Sequence, residues 1–150
     1  MYFPANAKPG LERSKRYRHG LPTNASGLAA TGRVIGVSLN YRLGPFGWLS
    51  LSQYGGVFAD ATNLGLQDII TALRWVQENI SRFGGDPQNV TVSGHSAGAF
   101  CTLGLLATPL ADGLYQRLAA FSGMTSRLVP AWSAEERAVV SYLVLHQMRF

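Results

Sequence analysis

Cysteine is almost absent: Cys101 is the single one in 150 residues, so no disulfide can close within the chain. Charge is scarce as well, at 14% Asp, Glu, Lys and Arg, which argues against a disordered polyelectrolyte. No apolar run approaches the ~18 residues of a membrane-spanning helix. The N-terminus lacks the basic stretch followed by an apolar core that marks an export signal. These residues therefore carry no expectation of a membrane partner, and the compartment stays open. Internal repeats and low-complexity tracts are missing too.

What is present points to a packed domain. Hydrophobic residues make up 47% of the chain, enough to bury a core in roughly one domain of the usual ~100–200 residues. The formal charge of +5 is unevenly spread. Residues 1–20 hold Lys8, Arg13, Lys15, Arg16 and Arg18 against Glu12, for +4, which leaves +1 on the other 130. That basic head, also rich in Pro and Gly, reads as a poorly structured, solvated segment. A nucleic-acid or acidic-surface contact is the lesser reading, because no aromatic ladder accompanies the charge. Residues 21–150 form the expected domain.

Little regular structure is expected over residues 1–32. Arg33 to Asn40 (RVIGVSLN) reads as a buried strand, and Tyr41 to Gly47 turns the chain at Gly44-Pro45. Trp48 to Thr62 reads as a loop. From Asn63 to Phe83 the apolar positions Leu66, Ile69, Ile70, Leu73, Val76 and Ile80 recur every three or four residues, one stripe of a helix. Asn63 is its candidate N-cap, and Gly84-Gly85 with Pro87 its stop. Trp75 is expected to pack in the core beside that stripe. A strand over Gln88 to Ser93, a helix over Ala97 to Ala107 and a buried strand over Leu118 to Ser122 follow. A further helix is expected over Ser133 to His146. The alternation predicts an α/β fold, a mostly parallel sheet with flanking helices.

Gly94-His95-Ser96-Ala97-Gly98 stands between the second strand and the second helix. A G-x-S-x-G in that context is a nucleophile elbow: the serine occupies a strained bend with its hydroxyl pushed out, and the glycines let helix and strand pass closely. Cys101, among Phe100, Leu103, Leu105 and Leu106, reads as a small buried apolar residue. Arg42 is expected to pair with Asp68 or Asp86. The Asn24, Asn79 and Asn89 sequons are short enough to arise by chance.

The run from Asn63 to Gly98, with Leu73-Arg74-Trp75 and the Phe83-Gly84-Gly85 lead-in, resembles the type-B carboxylesterase and cholinesterase-like family of α/β-hydrolases. Val37 to Leu49 (VSLNYRLGPFGWL) and Phe121-Ser122-Gly123 are similar to that family's flanking segments. The resemblance implies part of an α/β-hydrolase fold around the elbow. It also implies a serine ester hydrolase acting through an acyl-enzyme on small carboxylic esters, without metal or cofactor. Ser96 would be the nucleophile, the Ala97 amide an oxyanion donor, and Gly94 and Gly98 the elbow glycines. Ser122 would be a buried second serine supporting the core. His95 stands where many relatives carry Glu. The alternative, from another class, is a non-catalytic cholinesterase-like interaction module or pseudoenzyme.

A serine hydroxyl needs a general base, and that base an orienting carboxylate. In the family both lie far downstream of the serine, so here they are expected beyond Phe150, and the glycine-rich oxyanion loop is missing from its place before the NYRLG turn. The chain thus reads as a truncated segment, inactive alone. Asp112 and His146 follow Ser96 in the right order, but the short gap to Asp112 favours a loop aspartate and a helix histidine. His95 is a poor base, since successive side chains at a strand end point opposite ways. His19, in the basic head, has no evident partner. Oligomeric state and substrate preference are not written in the residues.

Overall fold

The computed structural model describes residues 2–3 and 26–123. They divide into two compact units, one of residues 2–3, 26–40 and 70–123 and one of residues 41–69.

The first unit is built on a three-stranded, all-parallel sheet in the order β1-β2-β3. Strand β1 is Tyr2–Phe3, β2 is Thr91–His95 and β3 is Arg117–Phe121. Tyr2 pairs with Ser93 in β2, and Thr91 to His95 pair in step with Arg117 to Phe121. Parallel neighbours need a crossover. Helix α4, Ala97–Gly104, supplies it between β2 and β3, continued by 3-10 turns at Leu105–Ala107 and Pro109–Ala111. α4 packs against all three strands. Val90, Val92, Ala99, Cys101, Leu105 and Ala111 are buried in this unit.

A short helix α1 spans Ser26–Ala29, so the described part of the N-terminal region, where little regular structure was expected, holds two short elements, β1 and α1. The second unit begins with one helical turn, α2, Pro45–Trp48, and two 3-10 turns within the expected loop. Helix α3, Leu64–Asn79, continues as a 3-10 turn over Ile80–Phe83 and stops at Gly84, whose φ of 81° is the left-handed C-cap glycine favours. Of the predicted stripe, Leu66 is half-buried, and Ile69, Ile70, Leu73, Val76 and Ile80 are buried. Each such side chain contributes about 1.5–3 kcal/mol relative to exposure.

Three local expectations differ. Among the described residues, Arg33 to Asn40 makes only an isolated bridge at Ser38, and Val34 and Ile35 are 49% and 41% exposed. β-branched apolar composition favours a pleated surface, but a strand exists only where a neighbour completes its ladder. β3 forms at Arg117–Phe121, yet its side chains are half-buried or exposed rather than buried. Trp75 is 46% exposed and tilted against Phe83 at 6.0 Å between ring centroids. At about 100° per residue it falls nearly opposite the buried stripe. The segment Ser133 to His146 lies outside the described residues.

Candidate active site

The site is built where β2 hands over to α4. Ser96 occupies that junction with φ 53° and ψ −117°, a conformation that crowds any residue bearing a Cβ. Such a bend costs about 1–3 kcal/mol and persists only where its surroundings hold it. They do so on both sides. The Ser96 N–H donates to the Phe121 carbonyl at the end of β3, 2.9 Å away. The Ser96 carbonyl accepts the amides of Ala99 at 2.9 Å and Phe100 at 3.2 Å, which starts the helix. The side chain is half-buried.

Gly94 explains how strand and helix come so close. A Cβ there would sit 2.2 Å from the Gly98 carbonyl oxygen and 2.6 Å from Thr102 Oγ1. On the other flank, a Cβ at Gly123 would meet the Ala99 Cβ at 2.6 Å. Ser122 has φ 56° and is exposed. The left-handed step there turns Gly123, rather than the serine, toward α4, so Ser122 is not the buried serine that the resemblance implied. Ala97 is the first residue of α4, where a backbone N–H has no acceptor within the helix.

Gly94, Ser96, Ala97 and Gly98 are thus drawn into one knot. Thr102, absent from the expectations, belongs to it as well. It is fully buried at 0% exposure, and its hydroxyl donates to the Gly98 carbonyl at 2.9 Å. A threonine inside an apolar helix is ordinary in sequence, so only the position four residues after Gly98 hinted at this bond. His95 closes β2 and is half-buried. Asp112 caps the 3-10 turn after Pro109 and is exposed. Its charge, after burial, is the second cause raising the Tyr115 hydroxyl above its usual pKa. His19 and His146 lie outside the described residues. Among the described residues no group of three or more His, Cys, Asp or Glu is arranged to hold a metal.

In the second unit, Arg42 Nε and Nη2 clasp both carboxylate oxygens of Asp68 at 2.8–3.1 Å. The Arg42 backbone N–H adds a bond of 2.9 Å to the same carboxylate. The side-chain bonds from Arg42, chiefly, hold the Asp68 carboxyl below its usual range. Of the two aspartates expected as partners, Asp68 is the one used.

A profile described as "Carboxylesterase family" matches residues 14–141. The chain belongs to the carboxylesterase family. Among curated proteins it is 51% identical over 115 residues to para-nitrobenzyl esterase of Bacillus subtilis (strain 168), a match covering 77% of this chain and 23% of that one. It is 46% identical over 110 residues to mouse (Mus musculus) neuroligin-2, covering 73% of this chain and 12% of the other. A solved structure of PNB esterase superposes with a TM-score of 0.73 at 48% identity, over 80% of this chain and 25% of that one. The chain therefore spans about a quarter or less of its relatives' length. As a carboxylesterase-family segment, its parallel sheet and helices are part of the α/β-hydrolase fold.

Proposed function

We propose that this segment carries the nucleophile of a carboxylic ester hydrolase. Ser96 Oγ attacks the ester carbonyl carbon, its proton passes to a base, and the alcohol leaves with a proton. Water then attacks the acyl-enzyme and returns the serine. Negative charge appears on the carbonyl oxygen only at the barrier top, so a fixed amide aimed there stabilises the transition state over the ground state. The Ala97 N–H is assigned that role. The observation that supports this best is the strained Ser96 bend pinned from both sides, by Phe121 and by the Ala99 and Phe100 amides. The substrates are small carboxylic esters, in keeping with the family.

The base is not assigned to His95, the half-buried neighbour of Ser96 that closes β2. Nor does Asp112, exposed on its turn, supply the orienting acid. The 150 residues alone are accordingly proposed to turn over little or no ester.

The test is hydrolysis of a short-chain aryl ester by the full-length gene product beside its Ser96→Ala variant. Turnover that collapses in the variant supports the proposal, and equal turnover refutes it. The same assay on the isolated 150 residues should match the variant. A full-length protein with no turnover would instead favour the interaction-module alternative.

A further inference from the structure

We propose that Thr102 is a positioning residue that strengthens the Ala97 amide as an oxyanion donor through two hydrogen-bonded peptide groups. The proposal deepens the esterase reading of Ser96 and rests on it. The buried Thr102 hydroxyl donates to the Gly98 carbonyl at 2.9 Å. That carbonyl shares its peptide group with the Ala99 N–H, which donates to the Ser96 carbonyl at 2.9 Å. The Ser96 carbonyl in turn shares its peptide group with the Ala97 N–H. Hydroxyl, first peptide, second peptide and donor amide therefore stand in series.

A hydrogen bond to a carbonyl oxygen draws electron density toward it and makes the N–H of the same peptide a better donor. Such polarisation adds about 10–30% per bond in a low-dielectric interior. Thr102, Gly98 and Ala99 are buried, so the relay starts in that kind of interior and reaches the half-buried Ser96 and Ala97 at its far end. Packing alone would suit an apolar residue at a site with no exposure, which makes the hydroxyl the informative group. Its seat is also made for it: the bare backbone of Gly94 leaves the space that Thr102 Oγ1 and the Gly98 oxygen share.

A single oxyanion donor is worth about 10²–10³ in kcat. Weakening it by 10–30% lowers kcat by about 2- to 8-fold, with transmission across two peptides favouring the lower end. Thr102→Val deletes the hydroxyl and keeps the shape, and Thr102→Ser keeps the hydroxyl. In the full-length gene product, Thr102→Val should lower kcat and kcat/KM by the same factor, leave KM unchanged, and weaken a trifluoromethyl ketone inhibitor equally. The Ala97 amide proton should move upfield in NMR spectra, and Thr102→Ser should restore every one of these readouts. Wild-type kcat and an unmoved Ala97 resonance in Thr102→Val would overturn the proposal. So would a Thr102→Ser variant as impaired as Thr102→Val, or a kcat loss that merely follows a fall in Tm. Should Thr102→Val fail to fold, Thr102→Ser still decides between hydroxyl and methyl. The Ser96→Ala control separates the two ideas. Undiminished turnover there removes the esterase reading, whereas the Ala97 resonance reports the relay without any turnover.

Discussion

Replacing Gly94 by alanine should damage stability and reactivity together. The added Cβ would lie 2.2 Å from the Gly98 oxygen, 2.3 Å from the Gly98 carbonyl carbon and 2.6 Å from Thr102 Oγ1, where ordinary contact starts at 3.4 Å. Two of these atoms are backbone, so no side chain can swing aside. The first turn of α4 must retreat from β2 by about 1.2 Å, the shortfall at the Gly98 oxygen. Overpacking of this kind costs about 1–3 kcal/mol. The shift is about 2–4 °C per kcal/mol for 150–250 residues and smaller in a longer protein, so Tm of the full-length product should fall by a few degrees. The same retreat moves Ser96 relative to the Ala97 amide, and a misplacement near 1 Å can cost about 10²-fold in rate. Differential scanning calorimetry and the aryl-ester assay, run on the full-length gene product, read the two effects. A Gly94→Ala protein with unchanged Tm and turnover would show that strand and helix do not meet here as described.

Leu73→Ala, at a fully buried position, should cost about 2–5 kcal/mol, whereas Trp75→Ala, although it deletes a larger side chain, should cost less. Denaturant midpoints rank the two, and a costlier Trp75 would contradict its half-exposed setting. Asp68 has its carboxyl held below the usual value near 3.8 by Arg42, so the unfolded chain binds that proton more tightly than the folded one. The pair's contribution is therefore fully present above the usual carboxylate range and lost as pH falls through the lowered folded value. Asp68→Asn should lower Tm at pH 7, and its gap from wild type should close in acid. A gap that widens toward low pH would reverse the assigned sign.

The bend at Ser96 was legible because the signals that announce it are local, although the Phe121 carbonyl that pins it is not. Two glycines, a strand of alternating burial and a run of small residues sit within about a dozen positions, and the helical stripe of α3 is equally local. Arg33 to Asn40 was misread for the opposite reason. Its composition is that of a strand, but the ladder that makes a strand depends on a neighbour far away in sequence. At Ser122 the sequence signature was visible, yet a left-handed backbone step decides which of Ser122 and Gly123 faces α4. Thr102 left only a faint trace, its place four residues after Gly98, because a threonine in a helix can bond back to that carbonyl at any position. For Trp75 the period did hold the answer: its angular distance from Leu73 and Val76 outweighs the habit of burying tryptophan.

A fluorophosphonate probe on the full-length gene product, followed by peptide mapping, asks most directly whether Ser96 is the reactive hydroxyl. Covalent labelling should fall on the peptide containing Ser96 and vanish in Ser96→Ala. Labelling that persists in the variant, or lands on another serine such as Ser122, would contradict the assignment.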